Sequence, residues 1–164
     1  MPFINIQNIK PDGRLNIKEI SYIDEADDEK LVHKGDILLS RSRLVGACGL
    51  VTEQEDGFSF GSYILRLRVK DGSPIPPDYI VSFLNSDLGQ AQIRMLETGA
   101  FGKNINTRQV KMIKIPVPSS KNSIDEITSE IRKMWKKLNE AEKRSERLRA
   151  KSRRELVDLL IGKG

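Results

Sequence analysis

The sequence holds little that serves catalysis. Its 164 residues include one cysteine, Cys48, and one histidine, His33. No intramolecular disulfide can form, which fits a reducing compartment. There is no cluster of Cys and His with metal-ligand spacing. Cys48 lies in "LVGACGLV", among small and apolar residues, and reads as a buried small hydrophobe rather than a nucleophile. His33 sits in a polar loop and gives no support for a Cys–His pair. No glycine loop runs into Lys-Ser or Lys-Thr to cradle phosphates. "SRS" at 40–42 has no histidine base tied to it by a recognisable pattern. The acidic run at 24–29 lacks the spacing and central glycine of a calcium loop. Nucleoside-methyl-donor motifs are absent too. No apolar run approaches the roughly 18 residues that cross a bilayer, and "MPFINIQNIKPDG" has no charged-then-apolar leader pattern. The chain reads as a soluble, cytoplasmic protein that binds rather than catalyses, without a metal or cofactor of its own.

What is present is charge, unevenly placed. The apolar fraction is 38%, the charged fraction 31% and the formal net charge +5. Residues 121–164 hold 13 Lys/Arg against 8 Asp/Glu, leaving 15 of the 28 basic and 15 of the 23 acidic residues to positions 1–120. The whole basic excess therefore sits in the C-terminal third. A basic balance points to an anionic partner such as nucleic acid. The break in charge divides the chain into a domain over 1–120 and a separate element over 121–164.

Periodicity supports that division. "PFINIQNI" reads as a strand and "KPDGR" as a turn with Asp12-Gly13 at its tip. The run Ile37-Leu38-Leu39, "VGACGLV" and "SYILRLRV" read as further strands. In the last of these Arg66 and Arg68 face away from Leu65 and Leu67 and are taken as surface charges. "PDYIVSFLNSDLGQAQIRMLETG" has helical spacing, broken near Asn85–Gly89, with Gly99 as a cap after its end. "VKMIKIPVP" reads as a strand with outward Lys111 and Lys114, stopped by Pro116 and Pro118. From Ser123 a heptad seam runs through Ile124, Ile127, Ile131, Met134, Leu138, Ala141, Ser145, Leu148 and Ser152. It slips by about one residue before Leu156, Leu159 and Leu160. Ser123 with Glu126 has the form of a capping box. A helix of roughly 40 residues is about 60 Å long. Its narrow seam and densely charged flanks favour a partner-binding coiled coil over an amphipathic helix folded back on its own domain. The fold class is α+β: a mixed or antiparallel sheet domain with short helices, then one long helix.

Taken in order, "PFINIQNIKPDGRL", "KGDILLSRSRLVGACGLV", "SYILRLRVKDG", "PPDYIVSFLNSDLGQAQI" and "TGAFGKNINTRQVKMIKIPVP", followed by the heptad helix, resemble the DNA specificity subunit of type I restriction-modification systems. Each piece is weak alone; the ordered series is specific. The match is to one target-recognition domain and one spacer helix. The same module ends some fused restriction-methylation enzymes. A complete specificity subunit has two recognition domains and two helices, and an opening segment before the "PFI" strand. A natural half-subunit, a truncation and the tail of a larger protein are all consistent with that departure. The resemblance implies that the domain reads part of a split target in double-stranded DNA. It implies that the helix pairs with a counterpart, in a homodimer or with a second specificity half, as a ruler between half-sites. It also implies adenine-N6 methyltransferase subunits that use S-adenosylmethionine, and a restriction translocase subunit, as partners.

The candidate DNA contacts fall in three segments. In "GAFGKNINTRQ", Gly99 and Gly102 allow close backbone approach. Lys103 and Arg108 can neutralise phosphates, and Asn104, Asn106 and Gln109 offer donor–acceptor pairs suited to adenine edges. Without the resemblance, the same residues fit a polar surface loop with an N-cap equally well. In "SRSRLVG", Arg41, Ser42 and Arg43 at a strand exit suit phosphate or guanine. In "NIQNIK", Gln7, Asn8 and Lys10 form a third candidate. Two rivals stay open: a scaffold that binds the methyltransferase without contacting DNA, and the detached tail of a fused enzyme.

Overall fold

The computed structural model describes residues 1–99 and 103–161. Its contacts separate into two units, residues 1–128 and 129–164. The first unit is built on two small sheets. In the first sheet β1 (Pro2–Ile4) lies between β2 (Ser21–Tyr22), antiparallel to it, and β5 (Ser59–Phe60), parallel to it. In the second, β3 (Ile37–Ser40) is central, with β4 (Cys48–Leu50) and β6 (Ile64–Leu67) antiparallel on either side. The fold is α+β, with one mixed and one antiparallel sheet.

β3 forms where an apolar run follows a Gly-Asp turn, and all four of its residues are buried. A strand covered on both faces reads as a continuous rather than alternating apolar run. Leu38 packs with Ile4, Ile9, Val32, Val51, Phe60 and Ile64 in the core that joins the two sheets. Burial of a Leu- or Ile-sized side chain stabilises by about 1.5–3 kcal/mol. Buried Cys48 belongs to the same interior, and burial raises its thiol pKa well above the ordinary value. A thiol held protonated in this way is inert as a nucleophile.

Two helices pack on the antiparallel sheet side. α1 (Pro77–Asn85) and α2 (Asp87–Leu96) break at Ser86, whose hydroxyl accepts from the Gly89 N–H at 3.3 Å. Gly89 is required there, because a Cβ would come within 2.2 Å of the Phe83 carbonyl oxygen. The Asn85 amide accepts from the Cys48 N–H at 3.0 Å and donates to the Cys48 carbonyl at 2.8 Å. It satisfies the free edge of β4 as a further strand would.

Several expectations are corrected. "PFINIQNI" is a strand only to Ile4; Ile6–Asn8 form a 3-10 turn closed by the Asn8 side chain, which accepts from the Asn5 N–H at 2.8 Å. "VKMIKIPVP" is not a strand. Val110 ends α3 (Thr107–Val110), a turn follows at Lys111 and Met112, and the segment forms no ladder from there to Pro118. Its backbone groups are met by side chains instead: Gln92 pairs with both backbone groups of Lys114 at 2.9 Å, and the Tyr79 hydroxyl donates to the Pro116 carbonyl at 2.8 Å. Gly99 does not cap α2, whose cap is Glu97. Gly99, at φ 115°, instead follows the Thr98–Asn104 bridge. Gly102 lies outside the described residues. The long helix α4 spans Lys121–Leu160, so Ser123 is inside it. The capping hydroxyl is that of Ser120, which accepts from the Ser123 N–H at 3.1 Å. No helix among the described residues is long and apolar enough to cross a membrane.

Arg66 and Arg68 are not simple surface charges. Arg68 donates to both oxygens of Asp36, at 2.7 and 2.9 Å, and Arg66 stands 3.9 Å from the same carboxylate. Asp36 is buried, and burial alone would raise its pKa. The hydrogen bonds from Arg68 and the His33 N–H, with the charges of Arg68 and Arg66, outweigh burial and hold the carboxyl below its usual range. This pairing tethers the end of β6 to the turn that starts β3.

Candidate nucleic-acid interface

The three candidate segments are distant in sequence, yet the fold gathers them at one end of the antiparallel sheet. The connection from β3 to β4 runs through Arg41, Ser42 and Arg43. Its backbone is bound on both sides: the Arg41 N–H donates to the Tyr63 carbonyl at 2.9 Å, and the Ile105 N–H donates to the Arg41 carbonyl at 3.0 Å. Ser42 and Asn104 form an antiparallel bridge. The Arg41 guanidinium donates to the Asn104 amide oxygen at 3.4 Å. Segment 40–46 and segment 103–109 therefore form one surface.

Gln7 joins them across a groove of about 630 Å³, lined by Asn5, Gln7, Ser42, Arg43, Leu44 and Tyr63, among others. A second groove, of about 360 Å³, lies on the other side of Arg43 and Leu44. Arg94, Gln90, Glu97 and Lys103 contribute to its walls. Arg43 and Leu44 thus stand on a ridge between two clefts. Lys10 begins the turn whose next residue, Pro11, lines the second cleft.

The candidates differ in what remains available for a ligand. Arg43, Arg108 and Gln7 are exposed. Lys103 is exposed, but its ammonium is paired with the largely covered carboxylate of Glu97. Asn8 is a correction: it is 2% exposed. Its amide nitrogen donates to the carbonyls of Asn16 and Glu19 at 2.8 and 3.3 Å. With both amide protons and an oxygen lone pair taken up inside the fold and only 2% of its surface exposed, Asn8 is closed to a base edge. Asn106 and Gln109 close a reciprocal capping box at the start of α3, at 3.0 and 2.8 Å. The Gln109 amide also donates to the Leu96 carbonyl at 2.6 Å. A capping pair that satisfies orphan N–H groups is the local reason these residues occur at this spacing. They hold the loop in shape, with Arg108 exposed on the short helix between them.

A family model for the type I restriction modification DNA specificity domain matches residues 1–148. The chain belongs to this family. Solved structures agree on the fold of the specificity domain. The HsdS subunit from Thermoanaerobacter tengcongensis aligns with a TM-score of 0.65 over 85% of this chain, at 17% identity. A chain from a structural study of complex assembly and conformational transition in the type I R-M system aligns at 0.66 over 96%, also at 17% identity. This specificity domain spans 37% of the first of those chains and 40% of the second. No curated protein matches it.

Sequence reading missed Leu44, Tyr63 and Arg94. Leu44 and Tyr63 are 54% and 61% exposed on this face. The signal for Leu44 was a large apolar residue in a loop; Tyr63 was hidden because "SYILRLRV" reads as a strand, whereas the strand starts at Ile64. Arg94 was legible only as the polar face of an amphipathic helix.

In the long helix, Ile124 is buried within the first unit and Ile131 is partly covered. Ile127, Met134, Leu138 and Leu148 are exposed, at 40, 54, 43 and 57%, and Ala141 is exposed with them.

Proposed function

We propose that this specificity domain reads part of a split target in double-stranded DNA for a type I restriction-modification assembly. The observation that carries the proposal is the convergence of Gln7, Ser42, Arg43 and Asn104 at one end of the sheet, on and around a ridge with Arg43 exposed, with Arg108 exposed on the short helix that follows Asn104. Phosphate contacts fall to Arg108 and Lys103 and set register; Arg43 suits the O6 and N7 atoms of guanine. The chain supplies recognition and its partners supply chemistry. Adenine-N6 methyltransferase subunits bring S-adenosylmethionine to the target, and a restriction translocase subunit completes the assembly. The exposed seam from Ile127 to Leu148 meets a second helix, from another copy or another specificity half. A two-fold pair of such domains would read a two-fold split site.

Binding of duplex DNA across a salt series tests the reading. Replacing Arg43 and Arg108 together by alanine should weaken binding through both the base and the phosphate contact, and reduce the salt slope by roughly 0.9 for the one phosphate contact of Arg108. Unchanged affinity and slope would remove this face from DNA recognition. Affinity recovery of the tagged chain from its native cells should bring an adenine methyltransferase with it. The purified chain alone should transfer no methyl group.

A further inference from the structure

The ridge between the two grooves has a construction that plain phosphate binding does not need. Arg43 has φ 60°, the only positive φ outside glycine among the described residues. Strain of this kind persists where the surroundings over-determine it, and it concentrates at functional sites. Here the surroundings do so. The Ser40 hydroxyl donates to the Ser42 carbonyl at 2.8 Å, the Gly46 N–H donates to the Ser40 carbonyl at 2.8 Å, and the Ala47 N–H donates to the Leu44 carbonyl at 3.1 Å. The Gln90 amide pins the Gly46 carbonyl from α2 at 3.0 Å. Gly46 is pressed against Ile93, where a Cβ would meet the side chain at 2.7 Å. The result is a rigid hairpin tip that holds a leucine 54% exposed instead of burying it.

β3 and most of β4 are buried within the three-stranded sheet, so it is their connecting tip, with Arg43 and Leu44 exposed, that is free to enter the major groove of B-DNA. With the ridge in that groove, the two clefts face the flanking backbones. The cleft whose walls carry Arg94 beside the Lys103–Glu97 pair has a net positive charge for one of them. The 5-methyl group of thymine is the apolar feature of major-groove base edges. We propose that Leu44 is a specificity-determining residue that reads a thymine methyl, beside the base contact of Arg43. This inference rests on the DNA-recognition reading above.

Selection from random sequence tests this role directly. Short duplexes of random sequence are prepared once with thymine and once with uracil in its place. Both pools are selected against the full chain, as wild type, Leu44→Ala and Leu44→Met. The wild type should enrich a motif with a fixed thymine, and enrichment at that position should fall about fourfold in the uracil pool, as expected for one buried methyl. Leu44→Ala should enrich thymine and uracil alike there, while Leu44→Met retains the preference. A motif whose enrichment is the same in both pools, or a thymine preference that survives Leu44→Ala, overturns the role of Leu44 and leaves DNA recognition standing. No motif from either pool overturns both.

Discussion

Residues 1–128 and residues 129–161 treat their apolar side chains in opposite ways. In the first region Ile4, Val32, Leu38, Leu39, Val81, Ile93 and Ile105 are 0% exposed. In the second, every residue from Arg132 onward except Trp135 is exposed, and Met134, Leu148 and Leu156 show more than half of their surface. One region closes its core within the chain. The other presents an exposed apolar stripe. Isolated helices in water are marginal without tertiary packing, and the exposed pairs Glu130–Lys133 and Lys151–Glu155 add little. The first region therefore has the means to be stable alone, while the second keeps its apolar side chains exposed.

The comparison breaks most visibly if the core is not what holds the first region. Leu38→Ala should cost about 2–5 kcal/mol, the usual range for a fully buried leucine; chemical denaturation followed by circular dichroism measures it. A loss below about 1 kcal/mol would mean that the sheets are held some other way. Next comes assembly. Ile131→Asp with Leu138→Asp should abolish self-association or pairing with a second specificity half, read as a drop in mass by sedimentation, without lowering the stability of residues 1–128. An unchanged mass would take the seam out of the interface.

A smaller effect is expected at Asp36. Arg68→Ala removes two hydrogen bonds from a buried carboxylate and should cost about 1–3 kcal/mol near neutral pH. The pH dependence has a definite sign. The folded Asp36 pKa lies below its unfolded value, so its contribution is fully present above the ordinary aspartate range, near 3.9. It fades as pH falls through that range toward the folded pKa, because the unfolded state binds the proton more readily. Loss of Arg68 should flatten that acid limb, which a denaturation series from about pH 6 to about pH 2, spanning the carboxylate range, would show. The smallest change belongs to Lys103→Ala. Its ammonium is held by Glu97, so the salt slope of DNA binding should fall by less than the roughly 0.9 of a full phosphate contact. A full-sized drop would show that the pair opens on DNA.

Much of the architecture was legible because its causes are local. The apolar run at Ile37–Leu39, the interruption at Asn85–Gly89 and the heptad spacing after Ser123 each carry their signal in adjacent residues. The 110–118 segment misled for the opposite reason. Its alternation suits a strand, but Gln92 and Tyr79 supply the hydrogen bonds a neighbouring strand would have given. Asn8, Asn106 and Gln109 have the chemistry to read adenine, and that same chemistry closes turns and caps. Donor count alone does not separate the two uses; the presence of a nearby orphan backbone group does. Arg66 and Arg68 looked like solvated charge because Asp36, their partner, lies in another segment of the chain.

The order of motifs, the excess charge in the last third and the helical period by themselves determined the class of fold, the family resemblance and the existence of a long helix. Those properties depend on neighbours along the chain. Tertiary structure alone decided which polar residues face outward together. Ser42 meets Asn104, and Gln7 lines one groove with Arg43, only when the end of β3, the start of β6 and the 3-10 turn after β1 come to one place. A surface for recognition is a property of that packing, since each contributing segment is too short to define a face of its own.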